Sequence, residues 1–184
     1  MTHGRDWRSC GRRQVRTRKA ILRDAAAVHR LVADYANEGT LLPRSLEEIC
    51  ENIRDFTVAE DRGRVIGCGA LHFYGPHLTE IRSIAVDRNA QGRGAGRKLM
   101  QALLAEVKDH GVSCVCLFTR IPEFFARLGF SVVSRNDLPE KLFRDCFACP
   151  RLYDCDEIAM IMGELPPVPP EQRERVLELV QLSR

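Results

Sequence analysis

The chain of 184 residues is 45% hydrophobic and 29% charged, enough to bury a core and of a length that makes one domain the expectation. No apolar run approaches the ~18 residues of a membrane-spanning helix. The net charge of +3 conceals an asymmetry: residues 1–24 hold eight Arg and Lys against Asp6 and Asp24, which leaves −3 for the remainder. A mildly acidic body is a poor nucleic-acid surface. Eight cysteines without a secretory signal favour a reducing cytoplasm over a disulfide framework.

Residues 1–13 read as a basic, flexible tail and not as a transit peptide, because a strand pattern begins by Val15. Residues 14–18 predict the first strand. Asp24 is placed to cap a helix running to Ala36, with Ala27, Val28, Leu31, Val32 and Tyr35 as its buried stripe. Leu41-Leu42-Pro43-Arg44 is a loop. Ser45 and Glu48 then form a capping box that opens a second helix with Ile49, Cys50 and Ile53 inward. Asp61-Arg62-Gly63-Arg64 between two β-type runs is a hairpin signal. After Gly75-Pro76 the pattern alternates, with Ile81, Ser83 and Ala85 on one face and Glu80, Arg82, Ile84 and Val86 on the other, which predicts a strand. Asp87, Asn89 and Gly92 break it. Gly94 and Gly96 open a helix carrying Leu99, Met100, Leu103, Leu104 and Val107 at helical spacing.

Cys114–Thr119 is a continuous apolar run of the kind found in buried strands. Pro122 starts a short helix that Gly129 ends, and residues 130–133 and 157–162 supply two more strands. The order β-α-α-β-β-β-α-β-α-β-β predicts one α/β domain over residues 14–165, a mixed sheet of about seven strands flanked by helices. Pro166-Pro167-Val168-Pro169-Pro170 reads as a stiff linker. The helix expected over 171–184 is short enough to need a surface to dock on, either the body or a second copy of the chain in a homodimer.

A strand feeding a Gly-rich turn at a helix N-terminus is a ready anion site. The first amides lack partners, the dipole favours negative charge, and missing Cβ atoms admit a phosphate closely. The order Gln91-x-x-Gly94-x-Gly96 is neither a dinucleotide GxGxxG nor a P-loop. Preceded by Ile84-Ala85-Val86, it resembles the pyrophosphate loop of the GCN5-related N-acetyltransferases, Q/R-x-x-G-x-G/A. That resemblance implies acetyl-CoA as cosubstrate, held by Ile84, Ala85, Val86, Gln91, Gly92, Arg93, Gly94, Ala95, Gly96 and Arg97, and a reaction that requires no metal. Phe124-Phe125-Ala126-Arg127-Leu128-Gly129-Phe130 fits the family's later F-Y-x-x-x-G-F motif. Phe125 is thereby placed at the cofactor, but without the hydroxyl that usually protonates the departing thiolate.

Four stretches narrow the match: residues 41–44, 67–71, 80–86, and the tail from Asp137 to Met160. Together they resemble the short bacterial N-acetylglutamate synthases, which implies L-glutamate as the acceptor. Glu80, eleven residues before Gln91, is then the base that frees the amine, directly or through water. Two substrate carboxylates call for forked cations, and Arg44, Arg82, Arg120, Lys141 and Arg151 are the candidates. The same fold could instead serve another amino acid, a polyamine or a protein N-terminus, or bind acyl-CoA without turnover. Cys146-x-x-Cys149-x₅-Cys155 looks like a zinc knuckle lacking one ligand, which Asp156, Glu157, Cys10 or a histidine would complete. The favoured reading is that these are small buried groups ordering a substrate-side loop. Cys114 and Cys116 alternate along a strand and read as packing.

Overall fold

The computed structural model describes residues 15–165 and residue 167. The basic tail with Cys10, most of the proline linker and the expected C-terminal helix lie outside the described residues. In chain order the elements are β1 (Arg16–Lys19), α1 (Ala25–Ala36), α2 (Leu46–Glu51), β2 (Phe56–Asp61), β3 (Arg64–Gly75), β4 (Leu78–Val86), α3 (Ala95–Asp109), β5 (Cys114–Thr119), α4 (Pro122–Ala126), β6 (Ser131–Val132), α5 (Pro139–Lys141) and β7 (Ile158–Gly163). The strands form one sheet in the order β1-β2-β3-β4-β5-β7-β6. Only β4 and β5 run parallel; every other neighbouring pair is antiparallel. No helix among the described residues is long and apolar enough to cross a membrane.

Local chemistry accounts for most of these elements. Arg62 and Gly63, both at positive φ (53° and 76°), give the β2–β3 hairpin the turn whose twist matches its strands. At α2 the Ser45 hydroxyl accepts from the Glu48 N–H at 3.1 Å, and the Glu48 carboxylate accepts from the Ser45 N–H at 2.9 Å. Asp24 corrects an expectation: its side chain does not cap α1. It instead accepts from Arg18 at 2.6 and 3.0 Å and from the Ile21 N–H at 2.9 Å, because a guanidinium fork outcompetes a helix amide for the same carboxylate.

Both faces of the sheet are covered. Val28, Leu31, Val32 and Ile49 of α1 and α2 pack on Val58, Cys68 and Ala85. On the opposite face Met100 and Leu103 of α3, with Phe125 and Phe130, pack on Leu71, Ile81, Val115 and Leu117. The rest of the first face is covered by the segment after β6, where Leu138 joins Tyr74, Leu78, Cys114 and Cys116. The sequence pattern predicts no helix there. The structure has α5 followed by a π-helical turn, Leu142–Cys146.

Two irregularities in β4 shape the centre of the molecule. The strand pairs with β5 only at Leu78↔Cys114, Thr79↔Val115 and Glu80↔Cys116. Beyond Glu80 it continues against β3 alone while β5 continues against β7, so the sheet opens at Glu80. The second irregularity is a bulge. Ala70 pairs with Arg82 and Cys68 with Ala85, which sets Ser83 and Ile84 opposite the single residue Gly69, with Ser83 at a φ of 55°. One extra residue reverses the facing of everything after it. The expected alternation therefore fails past Arg82. Ile84 packs in the cluster of Ile81, and Ala85 crosses to the α1 side.

Candidate active site

The helix α3 starts behind Gly94, whose φ is 81°, and Gly92 two residues earlier has a φ of 72°. Nothing lies within 4 Å of the place a Cβ would take on either residue. The first amide of this stretch to bond back is that of Lys98, to the Gly94 carbonyl at 3.0 Å. The amides of Ala95, Gly96 and Arg97 therefore have no acceptor within the helix. Arg93 and Arg97 are exposed and neither forms an ion pair among the described residues. Open backbone, free amides, the dipole of a fifteen-residue helix and two uncommitted guanidiniums fit a diphosphate.

Tyr35 braces this loop against the end of β4, donating to the Val86 carbonyl at 2.7 Å and accepting from Gln91 Nε2 at 2.7 Å. The sequence pattern offers it only as part of a buried stripe. Ala95 is buried. Gly96 faces Phe124 and Val86, which lie 3.7 and 3.8 Å from the place its Cβ would occupy. Phe125, expected against the cofactor, points into the core between Phe124 and Phe130 and is 6% exposed. The ring beside the loop is that of Phe124, a residue singled out only as part of the motif.

Glu80 sits where β4 and β5 part, and it is buried. Lys141 Nζ lies 2.8 Å from its Oε1, the Tyr74 hydroxyl oxygen lies 2.8 Å from its Oε2, and Arg82 stands 3.9 Å away. The same three groups reach Asp145, with Lys141 at 3.1 Å, Arg82 at 3.8 Å and Tyr74 at 2.5 Å. Burial opposes the charge on Lys141, but the Glu80 and Asp145 carboxylates outweigh it and raise the ammonium above its ordinary range. Burial likewise opposes the Asp145 carboxylate, while Tyr74 and Lys141 hold it below the usual value. The Tyr74 phenol is pushed far up by burial and then by the two carboxylates, so it stays protonated.

Arg82 also approaches His72 Nδ1 at 2.8 Å. Arginine only donates, so the ring nitrogen accepts, and burial and the Arg82 charge hold His72 below its ordinary value and neutral. Arg44 completes the group. Its Nε donates to the Ser83 hydroxyl at 3.0 Å, a contact the β4 bulge makes available. Arg44 has no ion pair among the described residues, and burial and the like charge of Arg82 lower its pKa. Three cations (Arg44, Arg82, Lys141) thus gather with Glu80 and Asp145, and the Glu48 and Glu157 charges also act on the group.

The other two arginines expected at the acceptor have protein partners. Arg120 pairs with Asp156 at 2.6 Å and Glu157 at 3.3 Å and donates to the Thr40 carbonyl at 2.6 Å. Arg151 donates to the Gly39 carbonyl at 2.8 Å and shares Asp156 at 3.3 Å. Together they fasten the loop that leads to Arg44. They also line an open recess of about 240 Å³ with Leu41, Leu42, Cys149, Cys155 and Glu157. The seven described cysteines are free. Among the described residues no group of three His, Cys, Asp or Glu side chains converges as a metal would require. Cys149 Sγ accepts from the Arg151 N–H at 3.4 Å, and Cys10 lies outside the described residues.

The model of the acetyltransferase (GNAT) family matches residues 22–130. The chain belongs to that family. An uncharacterized N-acetyltransferase of Chlorobaculum tepidum is 44% identical over 144 residues, 78% of this chain and 93% of the relative. The amino-acid acetyltransferase of Mycobacterium tuberculosis is 36% identical over 68% of this chain and 74% of its own length. Among solved structures, the N-acetylglutamate synthase of Neisseria gonorrhoeae, complexed with coenzyme A and N-acetyl-glutamate, superposes with a TM-score of 0.74 at 28% identity. The match covers 84% of this chain and 36% of the synthase. As a GNAT-family member the chain is an acetyl-CoA-dependent N-acetyltransferase, built on the seven-stranded sheet and the glycine loop at the start of α3.

Proposed function

We propose that the enzyme moves the acetyl group of acetyl-CoA to the α-amino group of L-glutamate, the first step of arginine biosynthesis, by direct attack in a ternary complex in the cytoplasm. The observation that carries this reading is Arg44, a half-buried guanidinium with one neutral partner, Ser83, and a second guanidinium nearby. Desolvated like charges call for an anion, and a carboxylate matches the free edge of the fork. Glutamate carries two carboxylates, one for each of the forked cations Arg44 and Arg82. A polyamine would set more positive charge beside Arg44 and Arg82, two guanidiniums that already repel. The Neisseria relative bound to N-acetyl-glutamate supports this acceptor, and the Mycobacterium relative named an amino-acid acetyltransferase supports an amino acid.

In this reading the diphosphate of acetyl-CoA rests on the amides of residues 92–97, with Arg93 and Arg97 beside it. The thioester lies in the opening between β4 and β5, where a β4 backbone N–H near Val86 polarises its carbonyl. Arg44 and Arg82 hold the acceptor carboxylates, and Lys141 orders Glu80 at the rim of the same pocket. Glu80 takes a proton from the ammonium, the freed amine attacks the carbonyl carbon, and the tetrahedral intermediate expels the thiolate. No covalent acetyl-enzyme forms, and the acceleration comes from positioning and carbonyl polarisation.

Thiol release from acetyl-CoA, measured on purified protein with a panel of free amino acids, tests the acceptor. L-Glutamate should give the highest kcat/KM. A higher value with a neutral or basic amino acid overturns the choice of acceptor while leaving the family chemistry in place.

A further inference from the structure

Acetyl transfer to an ammonium releases one net proton per turnover. An ammonium and a thioester become an amide and a thiol; one N–H proton goes to Glu80 and another to the departing thiolate. Glu80 must therefore pass its proton to water before the next cycle. Its side chain is 3% exposed, whereas that of Asp145 is 32% exposed. The Tyr74 oxygen stands between them, 2.8 Å from Glu80 Oε2 and 2.5 Å from Asp145 Oδ2. A phenol has one proton and two lone pairs, so it can give a proton to one carboxylate while taking one from the other.

We propose that Tyr74 and Asp145 form the exit relay for the proton collected by Glu80, an inference that rests on Glu80 being the base. The Glu80 carboxylic O–H bond breaks as its proton joins the Tyr74 oxygen, the Tyr74 proton moves to Asp145 Oδ2, and Asp145 hands a proton to water. Tyr74 ends as the phenol it began as, and both carboxylates end ionised. Tyr74 and Asp145 act through Glu80 and are positioning residues.

The surroundings suit the task. Lys141 reaches Oδ2 of Asp145 and both oxygens of Glu80, so it keeps the two ends in register. Asp145, held below its usual carboxylate range, releases a proton to water and does not retain it. The other titratable groups around Glu80 are Arg82 on its own strand, His72 on β3, and Cys116 on β5. The Glu80 charge also acts on Arg44, Cys146 and Glu157. Burial raises the Cys116 thiol out of the titrating range and His72 is neutral, so neither competes with Tyr74 for the proton.

Two variants and one control test the relay under saturating substrates. Tyr74→Phe should lower kcat about tenfold, short of the ~10²–10⁴-fold expected for loss of a general base. It should also raise the solvent deuterium isotope effect on kcat and leave the acetyl-CoA KM unchanged. Asp145→Asn should be slowed similarly, and added imidazole, a diffusible proton acceptor, should restore its rate in proportion to concentration. Glu80→Gln should lose ~10²–10⁴-fold in kcat and be indifferent to imidazole. Wild-type kcat in Tyr74→Phe, or two slow variants with no isotope or imidazole response, overturns the relay alone. Full activity in Glu80→Gln overturns the base assignment and the relay with it.

Discussion

The proposed coenzyme side of the site comes from one unbroken stretch, Val86 through Gly92 and Gly94 to Arg97, whereas the proposed acceptor side is collected from across the chain. Arg44 meets Ser83 over 39 residues, and Lys141 meets Glu80 over 61. The first is a backbone device, in which amides, a helix dipole and open glycines bind an anion whatever the neighbouring side chains are. The second is a side-chain device that exists only once β3, β4, α5 and the α1–α2 loop are in place. A backbone site can be shared by a whole family, while a side-chain site is where one member differs from another. Acceptor choice should therefore be easy to break without harming coenzyme binding, and the reverse.

Four substitutions sharpen that contrast, in falling order of effect. Glu80→Gln should cut kcat by ~10²–10⁴-fold with calorimetric coenzyme A affinity unchanged; a matching loss of affinity would make Glu80 structural. Arg44→Ala should raise the glutamate KM about 10- to 100-fold, the equivalent of ~1.5–3 kcal/mol for charge-assisted hydrogen bonds. Its acetyl-CoA KM should stay put, and equal rises in both would dissolve the division between the two sides. Gly94→Val places a β-branched residue at a φ of 81°. At ~1–3 kcal/mol of strain, the coenzyme A dissociation constant should rise about tenfold with the glutamate KM little changed.

The smallest effect concerns pH. The Asp145 carboxyl is held below its ordinary 3.8, so its stabilisation is present above that value and lost as pH falls beneath it. Lys141 is raised above its ordinary 10.5, so its share is present below that pH and lost as pH climbs through the raised value. Melting temperatures of Asp145→Asn should thus fall less steeply below pH 3.8 than those of the wild type. Superimposable acid limbs would remove Asp145 from the stabilising network.

The same contrast governs how much of the molecule is legible in its sequence. Gln91, Gly94 and Gly96 sit within one turn of chain, so their joint chemistry is visible in a string of letters, as are the Ser45–Glu48 capping box and the β2–β3 hairpin. The Ser83 bulge is invisible there, because nothing in an alternating run marks where one residue steps out of register. Its consequence, Ala85 and Ile84 exchanging faces, is hidden with it. Glu80 stands out by position, yet Tyr74 and Asp145 read as an ordinary strand aromatic and an ordinary tail acid until the fold sets both against it. Arg120 and Arg151 are legible as cations but not as partners of Asp156 and the Gly39 and Thr40 carbonyls, which only tertiary contact supplies.

The proposed chemistry requires direct passage of the acetyl group to an amine held beside Glu80 while the thioester is still bound. Initial rates of thiol release, with acetyl-CoA and L-glutamate varied together, test this most directly. Reciprocal plots should give lines that intersect, the signature of a ternary complex. Parallel lines, which require an acetyl-enzyme intermediate, or the absence of any glutamate-dependent thiol release, would contradict it.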